Sequence, residues 1–293
     1  MKLDFTKVNG NGNDFIVLKN MDGTLTTEDL SRLAQRLCRR RFSIGADGIL
    51  AVEKSDTADF AMRIFNSDGS EAEMCGNGAR AIARYAFEKK IAGESMSFTT
   101  GAGLIKAVVE PPYAELDMGT VDVSSATIGD FASALGIISD KIFTYVFTTV
   151  GVPHCVVFVD DYDAMSVSDQ ISIGRDLSHD YGRFPQGANV SFAEILLDED
   201  DEYGEIKEIK AVTYERGVED LTESCGTGCV AIAIAYALVL GEACATSLTR
   251  VINPGGVNEV RLSFEGARYS CRAWLKGKTT IVADGQISEE ALS

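Results

Sequence analysis

Two cysteines of this 293-residue chain, Cys75 and Cys225, stand in nearly identical contexts, EMCGNGA at 73–79 and ESCGTGC at 223–229. An alanine-rich apolar stretch follows each cysteine and predicts a helix that begins beside it. At such a position the unpaired backbone N–H groups and the helix dipole favour a thiolate. The flanking glycines leave room for backbone N–H groups to close around a substrate carboxylate.

One such cysteine would suit a nucleophile, but two in matched settings favour paired acid–base catalysis. One thiol would remove a proton from a carbon atom while the other returns a proton to the opposite face of that carbon. The configuration of the carbon is inverted, and the reverse reaction exchanges the two roles. The pair therefore predicts an isomerase.

The sequence around the two cysteines belongs to a longer repeat. The cysteines lie 150 positions apart, and Ala-Ile-Ala follows both in register. Upstream, RFSIGADGIL at 41–50 resembles RFPQGANVSF at 183–192, with Asp47 matching Asn189. Because this repeat is longer than the roughly 20–50 residues typical of solenoids, it indicates a duplicated domain and pseudo-twofold symmetry.

Strand-like and helix-like segments alternate in both halves. DFIVL, FAMRIF and HCVVFVD are typical of strands, and residues 26–40 have helical periodicity with a capping box at Thr26 and Asp29. We therefore predict an α+β fold of two pseudosymmetric domains, each a mostly antiparallel sheet around a central helix. The expected boundaries are 1–119 for the N-terminal repeat domain, with the option that 280–293 joins it, and 120–279 for the C-terminal repeat domain.

The composition argues against several classes of protein. A formal net charge of −17 disfavours binding to nucleic acids and anionic membranes, which attract basic surfaces. The first fifteen residues lack the apolar core of a signal peptide. The longest apolar run, at 229–240, is shorter than the ~20 residues that span a bilayer. We therefore expect a cytoplasmic protein that acts on a small molecule.

The cysteines as a group are expected to be free thiols. Their number, seven, is odd, and no signal segment accompanies them, which disfavours a disulfide framework. Packing among apolar neighbours is the role predicted for Cys38, Cys155, Cys244 and Cys271.

Two further patterns do not support a cofactor. Cys225 and Cys229 have no second cysteine pair, and the chain has two histidines, so no metal site is expected. GNGNDF at 10–15 lacks the third glycine of a dinucleotide-binding loop, and no strand is expected before it.

Several longer strings add a resemblance. GNGNDF, GADG, IFNSDGSEAEMCGNGAR, FPQGANVSF and ERGVEDLTESCGTG resemble, in that order, the motifs of the diaminopimelate epimerase family, which are cofactor-independent amino-acid epimerases and racemases. The resemblance runs from about residue 6 to residue 275. It implies two pseudosymmetric domains with a closing cleft, a homodimer, and neither pyridoxal phosphate nor metal. The implied reaction converts LL- into meso-diaminopimelate for lysine and peptidoglycan synthesis.

The resemblance also implies roles for individual residues. Cys75 and Cys225 would be the catalytic acid/base pair, with His154 and Glu215 assisting thiol proton transfer. The substrate carboxylate would be held by backbone groups of Gly76, Asn77, Gly78, Gly226, Thr227 and Gly228. Substrate-binding side chains are expected at Asn13, Asn66, Asn189 and Arg216.

The surroundings of Glu215 can be anticipated from the repeat. Counting back from each cysteine places Glu215 where the first half has Phe65. A buried carboxylate usually needs a partner, and Arg216 is the expected one. Each substrate-binding asparagine has an alternative interpretation as a turn residue.

The sequence departs from the family pattern near the expected distal end of the substrate. Val152 replaces the usual asparagine before Pro-His, Ala188 replaces a threonine, and the stretch 218–224 is altered. Losing a polar partner from a site for a charged group costs about 1–3 kcal/mol. The alternative function is therefore a racemase of another amino acid, such as histidine, with an altered distal pocket. The intact cysteine pair disfavours an isomerase without an amino-acid substrate and a binding protein with redox-active thiols.

Overall fold

The computed structural model describes residues 3–132, 142–196, 206–239, 246–265 and 270–292. The chain divides into two compact units: the N-unit, Met1–Asp117 with Lys276–Ser293, and the C-unit, Met118–Leu275. The boundary predicted from the repeat is at 119/120. Cys244, for which packing is predicted, lies outside the described residues.

The N-unit contains two helices, α1 (Thr27–Leu37) and α2 (Gly76–Glu88), among the residues described. Its strands are β1 (Leu3–Gly10), β2 (Asn13–Lys19), β3 (Gly48–Glu53), β4 (Phe60–Asn66), β5 (Glu71–Ala72), β6 (Ser95–Thr100), β7 (Gly103–Glu110) and the first half of β8 (Tyr113–Asp122).

The C-unit repeats this order with helices α3 (Val167–Ser178) and α4 (Gly226–Val239). Its strands are β9 (Thr127–Ala132), β10 (Ile142–Val150), β11 (Val152–Phe158), β12 (Asn189–Leu196), β13 (Ile206–Glu215), β14 (Asp220–Thr222), β15 (Thr246–Asn253), β16 (Gly256–Glu265) and β17 (Ser270–Ile287). The end of β17 returns to the N-unit and pairs with β1, and a 3-10 helix (Glu289–Leu292) follows it.

Both units use the same strand pairing. Most described neighbours are antiparallel, but β2–β3 and β4–β6 are parallel in the N-unit. The equivalent parallel pairs in the C-unit are β11–β12 and β13–β15. A helix lies in each parallel crossover, α1 or α3 in the first and α2 or α4 in the second. The predicted α+β, pseudosymmetric fold class is confirmed.

Strand register aligns the two units residue by residue. The equivalent positions are Val8 and Thr148, Phe15 and His154, Leu50 and Ser191, Ile64 and Thr213, and Ala72 and Thr222. The same register matches Asn189 with Gly48, so the sequence match of Asn189 with Asp47 is wrong by one position. Two residues beyond Ile64 and Thr213, β4 and β13 end at Asn66 and Glu215, which are therefore equivalent. Phe65 is the wrong match for Glu215, because the connection to the next strand is one residue longer in the C-unit.

The helices follow from local sequence. Thr26 caps α1 as predicted: its hydroxyl accepts the Asp29 N–H, while the Asp29 carboxylate accepts the Thr26 N–H. Helix α4 is apolar on all sides and is buried in the C-unit core with residues such as Val146, Val156 and Ile209. Within the described ranges, no helix has both the length and the apolar character needed to cross a bilayer.

The segment GNGNDF forms a β-hairpin. Contrary to expectation, strand β1 does precede it, and Asn11 and Gly12 turn the chain directly into β2 with positive φ angles of 51° and 85°. Asn-Gly suits such a two-residue turn because both positions tolerate positive φ. The turn leads into a strand, so the helix of a dinucleotide-binding loop is absent at this point of the described chain.

Candidate active site

Cys75 is the N-cap residue of α2. Its backbone is extended (φ −143°, ψ 124°), and its sulfur accepts the Gly78 N–H at 3.5 Å. The Asn13 Oδ1 atom accepts the thiol proton across 3.7 Å. The residue is half-buried, so this thiol is set between a backbone donor and a neutral amide acceptor.

Asn13 is held in turn by a group of charged residues. Its Nδ2 donates to Asp47 Oδ2 at 2.6 Å, and the same oxygen accepts the Asp14 N–H at 3.0 Å. Arg40 bridges Asp14 and Asp47 at 2.6 and 2.8 Å, and Lys7 lies 2.7 Å from Asp14. Burial acts to raise the pKa of Asp14, but the hydrogen bonds from Arg40 and Lys7 hold it below its usual value.

The two other predicted asparagines of the N-unit have different surroundings. Asn66 is exposed at the end of β4, and its Nδ2 donates to Ser70 Oγ at 3.0 Å within a tight turn. Asn77 is buried in the first turn of α2, where its Oδ1 accepts Arg80 Nη2 at 2.6 Å. Asn66 therefore has the turn contacts of the alternative interpretation and an exposed side chain.

Cys225 directly precedes α4 and is buried, with 6% of its surface exposed. Its sulfur accepts the Gly228 N–H at 3.4 Å. A Cβ atom on Gly228 would lie 3.1 Å from this sulfur, so a side chain there would push the sulfur away by a few tenths of an ångström. Burial and, second, the neighbouring Glu215 carboxylate raise the pKa of Cys225 well above its usual value of 9.0. The resting group is therefore the thiol.

Glu215 stands beside Cys225 at the end of β13. Burial raises the pKa of this carboxyl, and hydrogen bonds from Thr222 and from the Cys225 thiol act in the opposite direction. The Thr222 hydroxyl donates to Glu215 Oε1 at 2.7 Å. The expected pairing with Arg216 is wrong for the described residues: Arg216 is exposed, and its backbone N–H donates to Asn189 Oδ1 at 3.0 Å.

His154 reaches the second thiol through Thr227. The His154 Nε2 atom lies 3.1 Å from Thr227 Oγ1, which lies 3.6 Å from Cys225 Sγ. Full burial lowers the pKa of His154 to about 3, so the imidazole is neutral at physiological pH. Its Nδ1 atom has no hydrogen-bond partner among the described residues, and neither does the hydroxyl of Thr148, directly opposite on β10.

Some of the predicted residues thus gather around the cysteine of their own unit, whereas the side chains of Asn66, Asn77 and Asn189 have other partners. Cys225, His154, Glu215 and Thr227 form one cluster, and Cys75, Asn13 and Gly78 form another. Three contacts were not predicted from the sequence: Thr222 with Glu215, the Thr227 hydroxyl with His154, and Asp47 with Asn13. The first could have been found by pairing GVEDLT as a hairpin with β13, which places Thr222 opposite Thr213.

The described ranges contain no group of three or more His, Cys, Asp or Glu side chains that could hold a metal ion.

The fold is shared with solved structures of low sequence identity. A phenazine biosynthesis protein of the PhzF family from Bacillus anthracis superposes with a TM-score of 0.72 at 15% identity, covering 98% of this chain and 99% of that one. A hydroxyproline epimerase from Agrobacterium vitis gives a TM-score of 0.66 at 16% identity, covering 98% and 92%. These likenesses place the chain in one two-domain fold class.

Sequence comparison narrows the class. The diaminopimelate epimerase family model matches residues 5–124 and 146–281. The diaminopimelate epimerase of Archaeoglobus fulgidus is 37% identical, covering 97% of this chain and 96% of that protein. That of Methanothrix thermoacetophila is 38% identical, covering 99% and 98%. The chain belongs to the diaminopimelate epimerase family and is an isomerase, a pyridoxal-phosphate-independent amino-acid epimerase.

Proposed function

We propose that this protein interconverts LL- and meso-diaminopimelate by inverting one α-carbon with two cysteines. The observation that carries the proposal is the pair Cys75 and Cys225, each at the start of a helix and each accepting the N–H of the glycine three residues on. The family membership supports the same substrate. In the cell the reaction would run from the LL to the meso form, towards lysine and peptidoglycan.

The proposed chemistry moves one proton off the α-carbon and another onto it. A thiolate takes the α-proton, so the C–H bond breaks, an S–H bond forms, and the electron pair is left on the carbon and its carboxylate. The other thiol then gives its proton to the opposite face and becomes the thiolate. Backbone N–H groups of the two helix starts would stabilise the negative charge on the carboxylate. They belong to Gly76, Asn77, Gly78, Gly226, Thr227 and Gly228.

Cys225 requires help to become a base, because burial keeps its proton on the sulfur. We propose that Glu215 accepts this proton when Cys225 acts as the base. Neutral His154 would hold the Thr227 hydroxyl in place beside the sulfur, at the 3.1 Å and 3.6 Å contacts described above. Cys75, which is half-buried, would instead exchange its proton with water, with the Asn13 amide beside it.

Recognition of the rest of the substrate is assigned to polar side chains. Asn13, Asn66, Asn189 and Arg216 are the proposed substrate-binding residues, and the exposed guanidinium of Arg216 suits a carboxylate. The bond from the Arg216 N–H to Asn189 Oδ1 keeps these two residues together.

A racemase of another amino acid, such as histidine, is the second candidate. The observation that favours it is Val152, which begins β11 as an apolar side chain that is 40% exposed. A less polar substrate end would pack against this side chain, whereas a charged end would gain nothing from it.

A deuterium-exchange screen distinguishes the two candidates. The purified protein in D₂O would be given LL-diaminopimelate, meso-diaminopimelate and each proteinogenic amino acid, with α-proton loss followed by NMR. Exchange and epimerisation of diaminopimelate alone is the expected result. Exchange of histidine or another amino acid, with diaminopimelate inert, would replace the substrate and leave the two-thiol mechanism standing.

We also propose an oligomeric state and a cellular location for the protein. We expect a homodimer in the cytoplasm, as the family resemblance implies, without nucleic-acid or membrane partners, since the net charge is −17. Light scattering on the purified protein checks the dimer: a monomer mass of 31.5 kDa at micromolar concentration would contradict it.

A further inference from the structure

We infer that Asp47 is a positioning residue that decides which atom of the Asn13 amide faces the Cys75 sulfur. The inference rests on the proposed function only in so far as Cys75 is a working acid/base. An Asn side chain can present an acceptor oxygen or a donor NH₂ group to its neighbour. The atom that faces the thiol must therefore be fixed by something on the other side of the amide.

Asp47 provides that constraint. Its carboxylate is ion-paired with Arg40 at 2.8 Å, and a carboxylate accepts hydrogen bonds without donating any. The Asn13 amide atom 2.6 Å from Asp47 Oδ2 must then be the nitrogen, because an oxygen there would face another oxygen with no proton between them. The amide oxygen is left 3.7 Å from Cys75 Sγ.

The carboxylate itself has little freedom to turn. Asp47 Oδ2 also accepts the Asp14 N–H at 3.0 Å, and Oδ1 accepts Arg40 Nη2. The backbone is held on both sides, since the Asp47 N–H donates to Asp14 O at 2.9 Å and the Ser67 N–H donates to Asp47 O at 3.1 Å. The orientation of the amide is thus set by a carboxylate that two further donors, the Asp14 N–H and the Arg40 guanidinium, hold in place.

This orientation has a chemical consequence for Cys75. An amide oxygen accepts from an S–H group and is repelled by a thiolate, whereas an NH₂ group would donate to the thiolate and stabilise it. Asp47 therefore favours the protonated form of Cys75 over the thiolate by keeping the amide oxygen on the sulfur side. Releasing the amide would let Asn13 turn its nitrogen towards the sulfur and favour the thiolate.

The test is the pH dependence of Cys75 alkylation by iodoacetamide, quantified on the Cys75 peptide by mass spectrometry. Asp47→Ala should lower the midpoint by about one pH unit, which is a tenfold rise in thiolate at a fixed pH. Asp47→Asn should lower it less, because the new amide can still present its oxygen to Asn13. Asp14→Asn is the matched control: it removes an equal charge from the same group but does not contact the Asn13 side chain, and it should leave the midpoint in place.

A double variant separates positioning from simple charge. If Asp47 acts through Asn13, then Asp47→Ala should produce no further shift in an Asn13→Ala background. A shift of equal size in that background, or an equal shift in Asp14→Asn, would overturn the inference and indicate a direct charge effect. Asp47→Asn carries the same comparison should Asp47→Ala not fold. Alkylation does not require turnover, so a failure of the proposed function would be seen separately, as full activity of Cys75→Ala.

Discussion

The environments of Cys75 and Cys225 differ although the strands around them match in order and register. The C-unit places polar side chains at the matched positions, namely Thr148, His154, Ser191, Thr213, Thr222 and Glu215, whereas the N-unit has Val8, Phe15, Leu50, Ile64, Ala72 and Asn66. The repeated backbone thus supplies a thiol at a helix start in both units. The side chains that would accept or donate the thiol proton differ between the two units.

The difference between the two environments corresponds to a difference in how deeply the two thiols are buried. Cys225 is 6% exposed and has a carboxylate and a hydroxyl beside it, while the half-buried Cys75 has the neutral amide of Asn13. A buried thiol cannot lose its proton to water easily, so it needs an acceptor inside the protein. We interpret Glu215, His154 and Thr227 as the groups that allow the more buried thiol to lose its proton inside the protein.

The largest expected effect comes from removing either thiol. Cys75→Ala and Cys225→Ala should each lower kcat by roughly 10²–10⁴-fold, the usual worth of a positioned acid or base. Steady-state epimerisation of diaminopimelate is the measurement, and the thermal melting temperature checks the fold. Cys38→Ala, a buried cysteine in the α1 core, is the control and should retain near-wild-type turnover. Near-wild-type kcat in either thiol variant would refute the two-thiol mechanism.

Changing the side chains at the equivalent positions 215 and 66 sharpens the comparison. Glu215→Gln should lower kcat by about 10²-fold and lower the pKa of Cys225, because a negative neighbour that disfavours the thiolate is gone. Asn66→Asp places a carboxylate at the equivalent position and should raise the pKa of Cys75. Alkylation midpoints of the two peptides are the readout. Shifts of the opposite sign, or none in Glu215→Gln, would count against the equivalence.

The neutral His154 predicts a pH dependence of stability. Its pKa of about 3 in the folded protein lies below the ordinary 6.5, so below pH 6.5 the unfolded chain binds a proton that the folded chain does not. The stability from this imidazole is present above pH 6.5 and is lost as pH falls, at about 1.4 kcal/mol per pH unit.

The variant that tests this pH dependence replaces His154 by the residue at the equivalent position of the N-unit. His154→Phe introduces the residue that stands at the equivalent N-unit position, Phe15. Between pH 6 and pH 5, its free energy of unfolding, measured with urea, should fall by about 1.4 kcal/mol less than that of the wild type. Parallel slopes for wild type and His154→Phe would contradict a neutral buried His154.

The smallest effect concerns the hydroxyl of Thr148, which is buried and has no partner among the described residues. Thr148→Val introduces the residue that stands at the equivalent N-unit position, Val8. It should raise the free energy of unfolding by about 1 kcal/mol, since an unsatisfied polar group is removed at almost constant shape. Val8→Thr should lower it by about 1–3 kcal/mol. Destabilisation by Thr148→Val would instead indicate that the hydroxyl is bonded in solution, by water shared with His154 Nδ1.

The features predictable from sequence are those set by local or repeated signals. The two Cys-Gly-x-Gly turns, the Thr26–Asp29 capping box and the duplicated α+β fold are of this kind. The contacts of Glu215 were not predictable by counting residues, because one extra residue in a loop moves its match from Phe65 to Asn66 and strand register alone reveals it. The Asn13–Asp47 bond joins residues 34 apart, and no sequence spacing specifies the direction of an amide.

The fate of hydrogen isotopes during the first turnovers tests the two-thiol account most directly. LL-diaminopimelate would be converted in D₂O to a few per cent, and deuterium at the α-carbons of product and of recovered substrate measured by mass spectrometry and NMR. If one thiol takes the proton and the other returns a solvent-derived one, the meso product carries one deuterium at the inverted carbon while the recovered substrate carries none. Deuterium entering the recovered substrate as fast as the product, or protium retained in the product, would indicate a single base and contradict the account.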